Sequence, residues 1–480
     1  MTRNAAPVSP PVVLSIAGSD SGGGAGIQAD TKTIEAGGAF ATTAITSVTA
    51  QNTRGVHSTH TLPVDEIRAQ TDAVRQDFDV AAIKTGMLAT APVVDLVTEV
   101  VAESSAPAVV DPVMVAASGD RLLEESAEAA YEDLVAAADL VTPNVEEAAV
   151  LAGTEVADEE SARSAAEILV EMGAGAALVT GGHLEADEAD EADEANEADE
   201  ANEADRADEA DRADDVHDVL VTPDVVETIR HERVDTEATH GSGCTISSAI
   251  ATRLAHGDDV PAAVESSVDL LARAVRYHLD VGEGPGAVHH AVALRERAER
   301  QPTQERVAEV VRRFVEVDVS RLVPEVGMNV VGATPYAEDP AECAAVEGRI
   351  TRTLDGVAPN RGVRFGASSH VARFLLAARE HDADLRFAVD CRFDDAIEDA
   401  LGALDGPVGE FDRAAQPAAV AETEGSTMGW GATRAFEAAG ATPVAVVDRG
   451  AVGKEAIVKV LAADSATLAE RVLTLLEAVE

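Results

Sequence analysis

Two glycines and a cysteine fall within four residues in Thr239-His240-Gly241-Ser242-Gly243-Cys244-Thr245, and a run of small residues, Ile246 to Ala251, follows at once. Glycines let a chain turn tightly, and the run behind them suits a helix start. Several backbone N–H groups would then converge at a helix head, a seat for an anion such as a transferring phosphoryl group. The same positive field is expected to lower the Cys244 thiol pKa and favour thiolate. In isolation the plainer reading, a turn before a core helix with an inert cysteine, is the better one. The other polar clusters shift that balance.

Upstream, Val12 to Ala17 runs into the glycine-rich Gly18 to Gly26 and then a helical stretch. Gly24-Ala25-Gly26 loosely fits a dinucleotide fingerprint, but no acidic residue ends a second strand at the proper distance. Asp30 and Gln51 fall near the ends of the first two strands, where a carboxylate and an amide could read the edge of a small heterocycle. The alternative is a helix-surface Asp and a turn Gln. Asn144 and Glu147, three apart at a helix head, could hold a hydrated Mg²⁺ bearing nucleotide phosphates, or simply form a helix cap. In the second half the dense polar spots are Gly348-Arg349-Ile350, Gly366 to His370 and Asp448 to Glu455, which includes Arg449 and Lys454.

The elements that must position these residues follow from periodicity. Short apolar strands alternate with amphipathic helices from residue 12 to about 180, which predicts a mostly parallel sheet covered on both faces. One strand is predicted over Ala41 to Thr49. Residues 185–215 are a triplet repeat with 17 acids, two arginines and no apolar side chain larger than Ala. Such a segment cannot recover its ordering entropy by burial and reads as a solvated, disordered loop insertion. A charged stretch, Arg295 to Glu305, is taken as the boundary before a second, smaller α/β domain. The 480-residue chain carries a formal charge of −52, with only four lysines (Lys32, Lys84, Lys454, Lys459) and 3% aromatic residues. That surface suits a salty cytoplasm, and the absence of a basic stripe argues against nucleic acid as a partner. Three scattered cysteines define no disulfide framework, and no apolar run approaches membrane-spanning length.

In order, the motifs AGSDSGGGAGIQAD, AQNTRGV, KTGML, DPVM, TPNVEEA, TGGH and THGSGCT closely resemble the hydroxymethylpyrimidine/phosphomethylpyrimidine kinases, members of the ribokinase-like superfamily. The resemblance spans about residues 10–297. It implies a layered α/β fold with a central, mostly parallel sheet, and two successive phosphorylations that use ATP and Mg²⁺. It further implies that Asp30 and Gln51 contact the aminopyrimidine, with Gly18 and Met87 lining its pocket. Asn144 and Glu147 would form the magnesium and phosphate motif, with Glu147 the metal ligand. Gly241, Ser242 and Gly243 would form the anion hole, and Cys244 would stand where related sugar kinases carry an aspartate base. Thr180 replaces a lysine usual in the family at the ATP phosphates.

Residues 303–480, through MNV, GRI, FGASSH, STMGW and DRGAVGKE, resemble the archaeal-type thiamine-phosphate synthase domain. That resemblance implies that Arg349 and His370 carry its activity, with Arg449 and Lys454 candidates for the leaving diphosphate. The expectation is a bifunctional, cytoplasmic thiamine-biosynthetic enzyme adapted to salt, a homo-oligomer acting on small molecules, with no membrane partner. Its rival is a pyridoxal-type vitamin kinase carrying a non-catalytic ligand-sensing domain.

Overall fold

A computed structural model describes residues 5–115, 119, 122–182, 215–417, 426–451 and 453–479. The chain divides between Leu294 and Arg295 into two compact units. The first contains strands β1 (Val12–Ala17), β2 (Phe40–Ile45), β3 (Ser47–Asn52), β4 (Gly55–Thr61), β5 (Val80–Thr85), β6 (Ala108–Val110), β7 (Leu140–Val141), β8 (Ala177–Val179), β9 (Val216–Val221) and β10 (Val226–His231). Its helices are α1 (Gly26–Ala36), α2 (Val64–Asp77), α3 (Ala91–Ala102), α4 (Tyr131–Ala137), α5 (Val145–Ala152), α6 (Glu159–Glu171), α7 (Ser242–His256) and α8 (Val260–Arg276).

Eight strands form one sheet in the order β10-β9-β8-β7-β6-β5-β1-β2. From β2 to β8 every pairing is parallel; β9 and β10 add an antiparallel edge. The central strands are continuous apolar runs because both of their faces are buried. Side chains from α3 to α6 pack one face and those from α1, α7 and α8 the other. This order places the C-terminal ends of β1, β5, β6 and β7 side by side, the edge at which open α/β sheets receive ligands.

The strand expected over Ala41 to Thr49 is in fact two. After β2 the chain leaves the main sheet at buried Thr46, whose hydroxyl donates to Met87 O at 2.6 Å. β3 then pairs with β4 as a separate hairpin, and Gln51 stands on that hairpin rather than at a main-sheet strand end. The repeat expected to be a disordered insertion lies, apart from Asp215, outside the described residues, as does His183.

In the second unit lie β11 (Val330–Ala333), β12 (Cys343–Val346), β13 (Ile350–Thr353), β14 (Gly356–Pro359), β15 (Val363–Phe365), β16 (Phe387–Arg392), β17 (Val408–Phe411), β18 (Ala445–Asp448) and β19 (Ile457–Ala462). Helix α9 (Val292–Val317) runs through the stretch read as a linker, where Arg, Glu, Gln and Ala favour helix despite Pro302. It is followed by α10 (His370–Arg379), α11 (Asp395–Ala400), α12 (Ser426–Ala439) and α13 (Ser465–Ala478). The seven-stranded sheet, β15-β12-β11-β16-β19-β18-β17, is antiparallel except for β17 beside β18. One face packs α9, α11 and α13, the other α10 and α12. Among the described residues no helix is long and apolar enough to cross a membrane.

Candidate active sites

Helix α7 begins as its glycines require: Gly241 is left-handed at φ +86°, where a Cβ would lie 1.9 Å from Gly24 O. No side chain caps α7 and no acid occupies its first turn; the same is true of α1. The two helix heads meet at Cys244, toward which the Gly26 N–H points. Neither head is capped by a side chain of its own helix, though the Ala25 N–H goes to Asp20 and those of Ile27 and Ser242 go to the carbonyls of Gly18 and Thr239.

Beneath lies a buried charge network. Lys84, fully buried, donates to Asp30 Oδ1 at 2.9 Å and lies 3.5 Å from Asp111 Oδ2. Burial disfavours its ammonium, but the carboxylates of Asp30 and Asp111 hold its pKa above the usual range. Asp111, at the end of β6, accepts from Ser247 at 3.2 Å, and a Cβ on Gly243 would be 3.8 Å from its Oδ1. Burial pushes the Asp111 carboxyl upward against the pull of Lys84, and Asp30 adds repulsion.

Several expectations need correction. Asp30 does not face a ligand: it is fully buried, and its oxygens accept from Ser15 at 2.6 Å, Ser248 at 2.9 Å and Lys84. Nor is the Cys244 thiol lowered. Burial pushes it up to about 12, and repulsion from Asp30 and Asp111 offsets the pull of Lys84. The desolvation that comes with packing two helix heads together outweighs their field. Glu147 closes a capping box with Asn144: its Oε2 accepts from Asn144 N at 3.1 Å, Asn144 Oδ1 accepts from Glu147 N at 2.9 Å, and Glu147 Oε1 accepts from Met114 N at 3.1 Å. With both oxygens engaged, Glu147 is placed as a cap rather than as a direct metal ligand. Burial, then repulsion from Asp111, pushes its carboxyl up to about 8.

Other expected partners are neighbours. A Cβ on Gly18 would lie 3.0 Å from Met87 Sδ, and Asn144 bridges Thr180 in parallel. Ser242, in the first turn of α7, donates its N–H to Thr239 O at 3.1 Å. Gln51 Oε1 accepts from Thr49 at 3.2 Å.

Asp20, unremarked in the sequence, organises the glycine loop. It accepts from the N–H groups of Gly22, Gly24 and Ala25 at 2.7–2.8 Å and lies 3.1 Å from His240 Nε2. With Gly24, Lys32, His240 and His290 it lines a cleft beside the α7 turn. Asp111 and Lys84 were also missed. Their signals were a strand-end Asp before Pro and a lysine inside the apolar strand VAAIKT of a lysine-poor chain.

In the second unit Arg349 takes a left-handed φ of +71°, unusual for a non-glycine residue, and its Nη1 donates to Val326 O at 3.1 Å and Gly327 O at 3.3 Å. His370 opens α10. Desolvation, then Lys459 and Arg413, push its imidazole down to about 4. The residue is exposed, so water tempers the desolvation; the facing cations sustain the direction. Asp448 accepts from Arg413 through both oxygens, at 2.9 and 2.6 Å, and from Lys459 at 3.2 Å. Burial pushes Asp390 up to about 6, although it accepts the Asn329 N–H. Arg449 and Lys454 are not part of this cluster. Arg449 is tied to Glu398 at 2.9 Å and Glu410 at 2.7 Å, and Lys454 is exposed in a tight turn.

A mostly parallel sheet with uncapped helix heads at its C-terminal edge defines a ribokinase-like small-molecule kinase. Solved structures agree. The ADP complex of Bacillus subtilis pyridoxal kinase is 29% identical, with a TM-score of 0.50 over 60% of this chain and 100% of that one. Staphylococcus aureus pyridoxal kinase with AMP-PCP and pyridoxal is 28% identical, with a TM-score of 0.50 over 59% and 94%. The phosphomethylpyrimidine kinase family matches residues 20–289, and the chain belongs to that family. Residues 306–474 match the thiamine-phosphate synthase ThiN family, so one chain joins two thiamine-biosynthetic activities, a kinase and a transferase. The hydroxymethylpyrimidine/phosphomethylpyrimidine kinase of Streptomyces coelicolor is 42% identical over 62% of this chain and all of its own length. The thiamine biosynthesis bifunctional protein ThiED of Geobacter sulfurreducens is 38% identical over 60% of this chain and 54% of its own.

Proposed function

We propose that the first domain, residues 10–297, phosphorylates 4-amino-5-hydroxymethyl-2-methylpyrimidine to its mono- and diphosphate. The second, residues 303–480, then couples the diphosphate with thiazole phosphate. What carries the kinase reading is the convergence of two uncapped, acid-free helix heads at Cys244, beside Asp111. In the first transfer the substrate hydroxyl oxygen bonds to the γ-phosphorus, the bond from that phosphorus to ADP breaks, and ADP leaves. The α7 amides receive the charge on the phosphoryl oxygens. Because the Cys244 thiol is held neutral, the hydroxyl proton goes to Asp111, the raised carboxylate nearest the helix head. Gly18, Met87 and Gln51 surround the pyrimidine, and Asn144 and Thr180 face the nucleotide phosphates.

Repulsion between Asp111 and Glu147 helps to raise the Glu147 carboxyl, and an Mg²⁺ ion, which takes oxygen ligands, would relieve it. Both would hold it only through bound water beside the phosphates, which leaves Asp111 open to the hydroxyl proton. The ion, when bound, neutralises the β- and γ-phosphates.

In the second domain the thiazole nitrogen bonds to the pyrimidine methylene as the carbon–oxygen bond to diphosphate breaks, and pyrophosphate leaves with the electron pair. Arg349 stabilises the departing charge, and the neutral His370 hydrogen-bonds at the same centre. The acid-coated, lysine-poor surface supports a setting in concentrated salt inside the cell.

The test is the full reaction from ATP, hydroxymethylpyrimidine and thiazole phosphate in high salt. Asp111→Asn should lower kinase kcat by about 10²–10⁴, and Arg349→Ala should suppress thiamine phosphate alone. Pyridoxal turned over faster than the pyrimidine would replace this reading with the vitamin-kinase one.

A further inference from the structure

We propose that Arg413, oriented by Asp448 and Lys459, contacts the diphosphate released in the second domain. The proposal rests on the synthase reading above. Its basis is a cluster that joins Asp448, the first residue of the DRGAVGKE motif, to two cations outside that motif. Lys459 is 1% exposed, sits at the centre of the sheet on β19, opposite Asp390 on β16, and lies 4.9 Å from the Phe374 ring and 5.6 Å from the Phe411 ring. A buried ammonium of this kind costs several kcal/mol unless it is paired. Its partner Asp448 is also claimed by Arg413, so one carboxylate serves two cations.

The geometry says which cation reaches outward. Nε and Nη2 of Arg413 grip Asp448, which fixes the guanidinium plane and directs the remaining Nη1 edge away from the carboxylate. Lys459 cannot approach a ligand without leaving the two rings, whereas Arg413, in the turn 413–415, lies just under the surface at 8% side-chain exposure. The charge of both cations is felt at His370, so the cluster and the proposed reaction centre share one neighbourhood. A planar guanidinium pre-oriented by a buried carboxylate offers its free edge to two oxygens of a diphosphate. Arg413 is thus a contact residue, and Asp448 and Lys459 are positioning residues.

Trp430 provides the readout. It is the sole tryptophan and stands edge-on to Phe411 at 6.0 Å, with Lys459 over that ring. Inorganic pyrophosphate titrated into the full chain should change Trp430 fluorescence, reporting the second domain even where pyrophosphate also meets the kinase site. Arg413→Gln should weaken pyrophosphate at least tenfold and raise KM for the pyrimidine diphosphate more than it lowers kcat. Arg434→Gln, an exposed helix arginine paired with Glu437, should change neither. Unchanged pyrophosphate affinity in folded Arg413→Gln overturns the proposal. Should that variant fail to fold, Arg413→Lys decides: it keeps the charge but loses the fork, so at least fivefold weaker binding is expected and unchanged affinity overturns the proposal. Failure of the synthase reading looks different: the parent chain makes no thiamine phosphate, whatever Arg413 does to pyrophosphate.

Discussion

Cys244 offers the sharpest test of the kinase chemistry, because a helix head and a buried position pull its thiol in opposite directions. With the thiol pushed up to about 12, thiolate at pH 8 is about one sulfur in ten thousand, against about one in ten for an unperturbed thiol near 9. That is a thousandfold deficit in the nucleophilic form. The residue is only half-buried, so a discount for solvent leaves an expected deficit of about a hundredfold or more. The assay is alkylation by iodoacetamide, with the Cys244 peptide quantified by mass spectrometry beside glutathione in the same tube. Labelling should be at least about a hundredfold slower than for glutathione at pH 8 and still rising at pH 10. In parallel, Cys244→Ser should keep kinase kcat within about tenfold, since a neutral thiol is not the proton acceptor; loss of a true base costs about 10²–10⁴. Labelling as fast as glutathione at pH 7, with Cys244→Ser inactive, would refute the reasoning and restore the thiolate.

Four other variants probe the same domain. Asp30→Asn leaves buried Lys84 with Asp111 alone at 3.5 Å, so unfolding free energy should fall by about 3–5 kcal/mol in denaturant titrations. A stable variant with a raised pyrimidine KM would instead return Asp30 to the binding site. The Glu147 carboxyl is raised when folded, to about 8, so its contribution is present below its unfolded value near 4.5 and is lost as pH rises through 8. Glu147→Gln loses an acceptor at pH 5 but should gain about 4 kcal/mol relative to the parent between pH 5 and 9, read from melting curves at constant salt. Gly241→Ala places a Cβ 1.9 Å from Gly24 O at a left-handed φ and should cost about 3 kcal/mol or more. Gly243→Ala meets only Asp111 at 3.8 Å and should fold normally with lowered kcat, as circular dichroism and turnover together would show.

Much of the architecture was legible because it is local. Apolar runs at strand length, helical periodicity between them and glycines at the turns specify a layered sheet, and the ordered motifs indicate its chemistry. The left-handed Gly241 and the Asn144–Glu147 cap are likewise properties of a few consecutive residues. What tertiary structure decided were the charges. Asp30 is 54 residues from Lys84 and 218 from Ser248, and Asp20 is 220 from His240. Whether such a carboxylate faces a ligand or a buried ammonium depends on which segments pack against it. The Cys244 thiol, the departure of β3 from the main sheet and the Arg413–Asp448–Lys459 cluster share that origin. Desolvation and charge pairing act through space, and a linear pattern does not encode which distant residues share that space.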